Sequence, residues 1–481
     1  MDLTYLSNVR PSQRQYAWQQ LEAYAFVHFG LNTMTRREWG RGDEDPAIFD
    51  PSGLDADQWA RAVVDAGLRG IVLTCKHHDG FCLWPSSLTR RGVASSPWRG
   101  GAGDVVADVA AACARHGLKF GVYLSPWDRA EPSYGAGRGY DDFFVGQLVE
   151  LLTGYGPVFA VWLDGACGEG PAGRRQLYDW ERYYRVIRAL QPGAVICVCG
   201  PDVRWCGNEA GATRADEWSV VPRALLDAER IAARSQQEDA WGFGRTIRSD
   251  DVDLGSRAAL ERAGAVGIGD LVWYPAEVDT SIRPSWFYRD DEDGAVRTPA
   301  ELFEIYCRSA GGNAGLLLNI PPTPEGRFAP PDVAALSGLG RHLRDLRAAA
   351  IGDGVTASTS SGSTAAEALT SVADDIGYWM PAARDAEPWI ELRLPEPAQV
   401  SGVILKEQIT EGQRVERMRL ESWDGRRWVE LAQTRSVGYQ RILGFTPVVT
   451  QNLRARVTAS RGRPRLAAFV ALRTGWERGG R

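Results

Sequence analysis

The amino-acid sequence predicts an α/β protein of two domains, a (β/α)8-like TIM barrel over residues 1–348 and an all-β sandwich over residues 349–481. Short apolar runs alternate with amphipathic helical stretches through the first two-thirds of the chain. No glycine-rich phosphate loop follows the first apolar run, which disfavours the alternative, an open doubly wound sheet. Helical periodicity is absent after residue 389, where short runs of alternating polar and apolar residues begin.

The predicted barrel strands are apolar on both faces, as expected for parallel strands that are covered on both sides. They are Ala25–Gly30, Gly70–Cys75, Lys119–Ser125, Val158–Asp164, Ala194–Cys199, Leu271–Tyr274 and Leu316–Ile320. The helical stretches between them are Asp57–Ala66, Asp104–His116, Tyr140–Leu152, Gln176–Leu190 and Pro299–Arg308. Thr298 precedes the last of these and predicts a helix cap followed by proline at the first helical position.

The second domain is predicted from a change in composition near residue 350. A small, polar stretch, IGDGVTASTSSGSTAAEALTS, comes first and reads as a linker or domain edge. Alternating runs such as WIELRLPEP and RMRLESWDGRRWVEL follow. Asp424-Gly425 lies between two such runs and predicts a β-hairpin, so the region is expected to form a β-sandwich.

Composition and charge exclude several classes of protein. Lys and Arg number 55 against 61 Asp and Glu, giving a net charge of −6, so no nucleic acid partner is expected. No apolar run is long enough to span a membrane, and no membrane partner is expected. The first residues lack an apolar signal core, which predicts a cytoplasmic protein with reduced cysteines, although removal of a signal stays an open alternative. The oligomeric state is left open.

The candidate chemistry lies where the predicted strands end, because barrel enzymes act at the carboxyl ends of their strands. Eighteen tryptophans are an excess that is typical either of stacking platforms for sugar rings or of a large core. The polar and aromatic residues at these strand ends include His28, His77, His78, Tyr123, Trp162, Asp164, Asp202, Trp205, Glu209, Glu277, Asp279 and Trp286.

Two carboxylates at one barrel mouth are what a glycosidase needs, one as nucleophile and one as acid/base. Asp164 ends the run FAVWL and is followed by Gly165, which leaves room for a ligand; the structural alternative for Asp164 is a helix cap. Glu209 lies in a glycine-rich loop, with Glu217 and Glu169 as rivals. The adjacent His77 and His78 suit hydrogen bonds to hydroxyls better than zinc, for which the spacing is absent, so no metal is predicted.

The runs FVHFGLNTMTRREWG, TCKHHDGFCLWPS, GVYLSPWD and VWLDGACGEGP resemble the α-L-fucosidases of glycoside hydrolase family 29, over about residues 5–345. The runs DVRWCGNEAG, EWSVVP and WYPAEVDTSIRPSWFY resemble the branch of that family restricted to α-1,3- and α-1,4-linked fucose. The C-terminal stretch resembles a discoidin-type, galactose-binding-like β-sandwich. One departure is Leu163, where the family commonly has an aromatic residue.

The resemblance implies a retaining exo-α-L-fucosidase that cleaves branched, Lewis-type oligosaccharides by double displacement and needs no cofactor. It implies that Asp164 is the nucleophile and Glu209 the acid/base. The fucose pocket that it implies comprises His28, Glu38, Trp39, His77, His78, Tyr123, Trp162 and Trp286. The candidate contacts to the neighbouring sugars of the substrate are Asp202, Trp205, Glu277 and Asp279.

Three other functions stay open at this point. They are a fucosidase of broad specificity, an α-L-galactosidase, and a fucose-binding protein without catalysis. The presence of both carboxylates disfavours the last. The β-sandwich is expected to support the barrel rather than bind sugar.

Overall fold

The computed structural model describes residues 4–211, 213–228, 253–265, 267–362, 369–374 and 377–476. Its first sheet is parallel, with the strand order β5-β4-β3-β2-β1-β10-β9-β6. Its strands are β1 Ala23–Val27, β2 Gly70–Lys76, β3 Lys119–Leu124, β4 Ala160–Leu163, β5 Val195–Val198, β6 Arg204–Trp205, β9 Ala276–Ser281 and β10 Ala314–Asn319. A parallel bridge between Cys197 and Val203 brings β5 next to β6 and nearly closes the sheet. The predicted barrel is confirmed.

One predicted barrel strand is wrong. The run at Leu271–Tyr274 forms β8 (Leu271–Trp273), which pairs antiparallel with β7 (Val220–Pro222) outside the barrel. The barrel strand in this part of the chain is β9, which pairs with β6 and β10. Its sequence, AEVDTS, carries acidic and hydroxyl side chains on its inward face, and this polarity concealed it from a search for apolar runs.

The helices lie between and around the barrel strands. They are α1 Gln13–Gln19, α2 Leu31–Thr35, α3 Ala56–Asp65, α4 Val105–Arg115, α5 Arg138–Gly154, α6 Trp180–Leu190, α7 Arg257–Arg262, α8 Pro299–Arg308 and α9 Pro330–Ala348. The predicted cap of α8 is confirmed, since the Thr298 side chain accepts from the Glu301 amide and Glu301 bonds back to Thr298. No helix in the described ranges is long and apolar enough to cross a bilayer.

The barrel has two apolar layers. Inside it, Phe26, Val72, Tyr123, Trp162 and Leu317 pack together. Outside it, the opposite faces of the same strands pack against the helices in one large core. Because side chains alternate along a strand, the inward residues form a column that ends at the barrel mouth.

The second sheet is antiparallel, with the order β11-β17-β13-β16-β14-β15, and β12 pairs with β13. Its strands are β11 Ala350–Ile351, β12 Thr356–Thr359, β13 Trp389–Glu407, β14 Val415–Trp423, β15 Trp428–Thr434, β16 Arg441–Ser460 and β17 Leu466–Arg473. The long strands β13 and β16 contain register shifts, which allow them to bend around the sandwich core. The predicted hairpin at Asp424-Gly425 joins β14 to β15. Helix α9 ends at Ala348, and the predicted domain division there stays a prediction.

Candidate active site

Most of the candidate site residues lie together at the carboxyl ends of the barrel strands. Phe26, Tyr123 and Trp162 point into the barrel. His28 and Asp164 each follow two residues after one of these inward side chains, so strand alternation directs both toward the barrel mouth. The fold therefore positions this half of the site through the strands themselves.

Asp164 is held by two hydrogen-bond donors. Its Oδ2 accepts from the Tyr123 hydroxyl at 2.8 Å, and its Oδ1 accepts from the Ala166 amide at 2.8 Å. The side chain is 21% exposed, so a ligand can reach it. Burial raises the pKa of Asp164, and the Ala166 amide and Tyr123 hydroxyl oppose that rise because they stabilise the charged form. The carboxylate is thus oriented and open on one side, as a nucleophile requires.

The three histidines at the mouth are uncharged. Burial lowers the pKa of His28 to about 3 and holds the pKa values of His77 and His78 well below their usual range. Neutral imidazoles present one donor and one acceptor nitrogen each. They are therefore suited to bind hydroxyl groups.

Neighbouring groups fix which ring nitrogen carries the proton. His28 Nδ1 lies 2.8 Å from Asn319 Oδ1, an acceptor, so His28 Nε2 is left as an acceptor. Ser125 Oγ lies 2.6 Å from His78 Nδ1 and itself donates to a backbone carbonyl, so His78 Nε2 is also an acceptor. His77 Nδ1 lies 3.3 Å from the Asn32 amide nitrogen, a donor, so His77 Nε2 carries the proton. The set offers both donors and acceptors to a sugar.

Aromatic rings enclose these polar groups. The His77 ring lies 4.1 Å from His78, 5.6 Å from His28 and 5.6 Å from Tyr123, measured between centroids. The Trp286 ring lies 5.0 Å from His28, and the Trp162 ring stacks on Tyr123 at 5.4 Å. On the other side, Trp39 lies 5.8 Å from His78. These rings supply the apolar walls of a sugar pocket.

Glu209 reaches the same pocket from a loop. Its Oε2 accepts from Trp286 Nε1 at 3.2 Å, and its backbone carbonyl accepts from the Thr280 hydroxyl at 2.8 Å. Burial, together with the negative charges of Asp279, Asp164 and Glu38, raises the pKa of Glu209 well above its usual range. A carboxyl group that stays protonated near a nucleophilic carboxylate is the arrangement of a general acid.

Glu38 holds in place the loop-borne side of the pocket, which comprises Glu209 and Trp286. Its Oε2 accepts from the Trp286 amide at 2.9 Å, and its Oε1 lies 3.3 Å from Arg289. Glu38 therefore positions Trp286, which in turn bonds Glu209. Its predicted contact with a sugar stays a prediction.

Two indoles bind carboxyl groups of β9. Trp162 Nε1 donates to Glu277 at 2.7 Å, and Trp205 Nε1 donates to Asp279 at 2.8 Å. Both carboxyl groups are buried. Burial raises the pKa of Asp279 to about 7, and it raises that of Glu277 well above its usual range. Trp205 thus lies at the edge of the site and is joined to it through Asp279, whose charge acts on Glu209.

Two carboxylates considered from the sequence lie elsewhere. Asp202 pairs with Arg14 at 3.1 Å and with Arg188, and it accepts from the Ile196 amide at 2.8 Å. Its predicted contact with a neighbouring sugar is therefore wrong, because the side chain is buried in the scaffold. Glu217, the rival acid/base, is fully buried and pairs with Arg204 and Arg214.

Sequence reasoning missed several residues that shape the pocket. Asn319 ends β10 and orients His28, and Asn32 in α2 orients His77. Phe287 packs edge-on against both His28 and His77, at 5.3 and 5.0 Å. A polar residue at the end of the apolar strand β10 was a usable signal for Asn319. The other two depend on how loops fold back.

A cation could also be held at this mouth. The potential metal-ligand atoms of His77, His78 and Asp164 lie within 4.8 Å of one another. Among the described residues, these three form the group of histidine and carboxylate side chains that is close enough to share one ion. The expectation that the chemistry needs no metal stays a prediction.

Comparisons with known proteins agree with this geometry. The model of the alpha-L-fucosidase family matches residues 8–346, and that of the F5/8 type C domain matches residues 354–470. Alpha-L-fucosidase 1 of Arabidopsis thaliana is 35% identical over 476 residues, covering 96% of this chain and 87% of that protein.

Solved structures give the same family. A glycoside hydrolase 29 family member from a rumen bacterium is 34% identical, with a TM-score of 0.78, over 97% of this chain and 78% of that one. The Ruminococcus gnavus GH29 fucosidase, solved in complex with fucose, is 26% identical, with a TM-score of 0.83, over 98% of this chain and 96% of that one.

Proposed function

This chain belongs to the α-L-fucosidase family, glycoside hydrolase family 29, and from that premise we propose that it is a retaining exo-α-L-fucosidase acting on branched substrates. Its α-L-fucosidase activity rests on the family itself. The retaining mechanism, the roles of single residues and the linkage preference are the proposal.

The observation that carries the mechanism is the difference between two carboxyl groups at one mouth. Asp164 is partly exposed and accepts two hydrogen bonds that favour its charged form. Glu209 has one indole donor, and its burial, followed by the charges of three nearby carboxyl groups, raises its pKa and favours its protonated form. Environments that set two carboxyl groups apart in this way divide them into a nucleophile and an acid.

Two displacements then account for hydrolysis. In the first, a carboxylate oxygen of Asp164 attacks the anomeric carbon, and the bond to the leaving oxygen breaks as Glu209 gives that oxygen its proton. A fucosyl ester of Asp164 results. In the second, Glu209 takes a proton from water, which attacks the same carbon and releases Asp164. Two inversions leave the α configuration unchanged.

The pocket suits L-fucose, a 6-deoxy sugar with a methyl group and several hydroxyls. His28 and His78 offer acceptor nitrogens, and His77 offers a donor. The rings of Trp39, Trp162 and Trp286 enclose them and can pack on the ring face and the methyl group. Fucose bound to the R. gnavus relative supports this choice of ligand.

We infer the linkage preference from the loop-borne side. Trp205 is half-buried beside Asp279, and the loop with Glu209 follows it directly. A neighbouring sugar that packs here adds binding energy that can be used in the transition state. The aryl group of 4-nitrophenyl α-L-fucoside lacks most of these contacts. The low pKa of the departing nitrophenol partly compensates for their loss, because this leaving group needs less protonation.

A hydrolysis panel tests this function. Purified protein is given Lewis a and Lewis x trisaccharides, 2′-fucosyllactose and 4-nitrophenyl α-L-fucoside, and kcat/KM is measured for each. We expect good turnover of the trisaccharides and weak turnover of the other two. Equal turnover of all four would contradict the linkage preference. Proton NMR of the first product should show α-fucose, and β-fucose would contradict retention.

A further inference from the structure

The loop that carries Glu209 is tied to the C-terminal sandwich. It runs from Arg204 in β6 to Ser219, just before β7. Glu209 lies near its middle. A loop-borne acid needs its loop held in place, because a displacement of about 1 Å can cost on the order of 100-fold in rate.

Glu217 ties the two ends of this loop together. One of its carboxylate oxygens pairs with Arg204, and the other lies 3.4 Å from Arg214. Arg214 also donates to the Cys206 carbonyl at 2.8 Å. Because Glu217 is fully buried, its charge depends on these two arginines for compensation, and removing both would leave it unpaired. The network therefore fixes the loop on both sides of Glu209.

The sandwich holds the far end of the loop directly. Arg441, the first residue of β16, donates to the Ala215 carbonyl, and its guanidinium lies 3.9 Å from Asp216. Gln413 accepts from the Ser219 amide at 2.9 Å. Both side chains are buried. The loop residues that they contact, Ala215, Asp216 and Ser219, lie on both sides of Glu217 in the sequence.

Asn313 of the barrel completes the junction. Its amide nitrogen donates to the Glu217 carbonyl at 3.0 Å, and its oxygen accepts from the Tyr439 amide of the sandwich at 2.8 Å. One side chain thus joins the barrel, the loop and the sandwich.

The burial of Arg441 argues for a specific role. Burial lowers its pKa, which reflects the cost of placing a guanidinium away from water. Its Nε donates to the Thr434 hydroxyl at 3.1 Å, so the side chain is oriented from within the sandwich before it reaches the loop. The buried guanidinium therefore reaches the Ala215 carbonyl and Asp216 of the loop while Thr434 holds it from the sandwich.

We propose that Arg441 and Gln413 are positioning residues for Glu209, acting through the segment from Ala215 to Ser219 and the Glu217 network. The proposal rests on the proposed function, in which Glu209 is the acid/base. The sandwich thereby completes the active site without touching substrate.

The test compares two substrates of the full-length enzyme. Lewis a trisaccharide needs protonation of its leaving oxygen, whereas α-L-fucosyl fluoride does not. The variants are Arg441→Met, Arg441→Lys and Gln413→Met. The matched control is Arg456→Met, because Arg456 lies on the same strand and pairs with Glu387 at 3.1 Å within the sandwich. Thermal unfolding shows which variants fold.

We expect Arg441→Met to lower kcat/KM about 10- to 100-fold for the trisaccharide and much less for the fluoride, since a displaced acid loses part of its contribution. Arg441→Lys should recover part of the loss, and Gln413→Met should act in the same direction. Glu209 faces Asp279, Asp164 and Glu38, and loosening its loop admits water, which lowers its pKa. The alkaline limb of kcat/KM should therefore move to lower pH, while Arg456→Met leaves both substrates unchanged.

Two further variants separate this inference from the function on which it rests. If Glu209→Ala hydrolyses the trisaccharide normally, the acid/base assignment fails. If Glu209→Ala is impaired but the variants at Arg441 and Gln413 affect both substrates equally, or neither, the positioning role is overturned. In Glu209→Ala the added change Arg441→Met should cost nothing more for the trisaccharide, and a full additive loss would also overturn it. Should Arg441→Met not fold, Arg441→Lys and Gln413→Met carry the same test.

Discussion

The two proposed catalytic carboxyl groups are held by differently built regions. Asp164 directly follows a barrel strand, and its partners Tyr123 and Ala166 lie on a neighbouring strand or two residues away. Glu209 lies in a loop, and its side chain is held by Trp286 from a distant part of the chain. Strand geometry therefore positions the first group, while tertiary contacts position the second.

The same difference sets their chemistry. Burial raises the pKa of Asp164, and the backbone and hydroxyl donors at the strand end oppose that rise by stabilising the carboxylate. Burial is the largest cause that raises the pKa of Glu209, and the charges of Asp279, Asp164 and Glu38 raise it further, which favours its protonated form. In the proposed mechanism, the region built from strands supplies the nucleophile, and the region built from loops supplies the acid. Each of the following variants alters one of these two regions and leaves the other intact.

The largest effect is expected for Asp164→Ala, on the strand-borne side. Both displacements pass through the Asp164 ester, so kcat should fall by several orders of magnitude for every substrate. Added azide should partly restore turnover and give fucosyl azide of inverted configuration. Near-normal activity in a folded Asp164→Ala protein would contradict the assignment.

A smaller, substrate-dependent effect is expected for Glu209→Ala, on the loop-borne side. Loss of the acid should lower kcat/KM for Lewis a trisaccharide about 10²- to 10⁴-fold. The loss should be much smaller for α-L-fucosyl fluoride, whose leaving group needs no proton. Glu169→Ala is the control, because Glu169 is an exposed loop glutamate and should behave as wild type. An equal loss on both substrates would rule out the acid role.

The smallest effect is expected for Tyr123→Phe, which removes one donor from Asp164. A hydrogen bond to a charged group is worth about 1.5–3 kcal/mol, so kcat/KM should fall about tenfold to a hundredfold. The hydroxyl lowers the pKa of Asp164, so its loss raises that pKa, and the carboxylate form is lost at higher pH as the solution is acidified. The acid limb of the pH profile should therefore move to higher pH.

Tyr155→Phe is the matched control for that shift. The Tyr155 hydroxyl donates to Asp104 at 2.9 Å, an equivalent pair at the start of α4 and away from the mouth. It should leave the acid limb unchanged. A Tyr123→Phe profile that matches the Tyr155→Phe profile would show that the Tyr123 hydrogen bond does not act on the titration of Asp164.

The sequence predicted the strand-borne region well for a physical reason. Apolar runs locate parallel strands, and the residue that ends such a run is placed at the mouth by the alternation of side chains. His28, Tyr123, Trp162 and Asp164 were found in this way, before any resemblance was considered.

The loop-borne region resisted prediction because its order comes from distant contacts. Strand β9 was missed since its inward face carries Glu277 and Asp279, whose polarity hides a buried strand. Asp202 looked like a substrate contact at a strand end, and only the positions of Arg14 and Arg188 reveal it as scaffold. Spacing alone could not separate Glu209 from Glu217, because burial and ion pairing distinguish them.

Trapping the covalent intermediate tests the central claim, that Asp164 attacks while Glu209 handles the proton. The wild-type enzyme is incubated with 2-deoxy-2-fluoro-α-L-fucosyl fluoride, whose fluorine slows the second displacement, and the inactivated protein is digested and analysed by mass spectrometry. The account predicts one fluorofucosyl ester per chain, on Asp164, with Glu209 unlabelled. A label on Glu209 would reverse the two roles, and turnover with inversion and no covalent adduct would contradict double displacement.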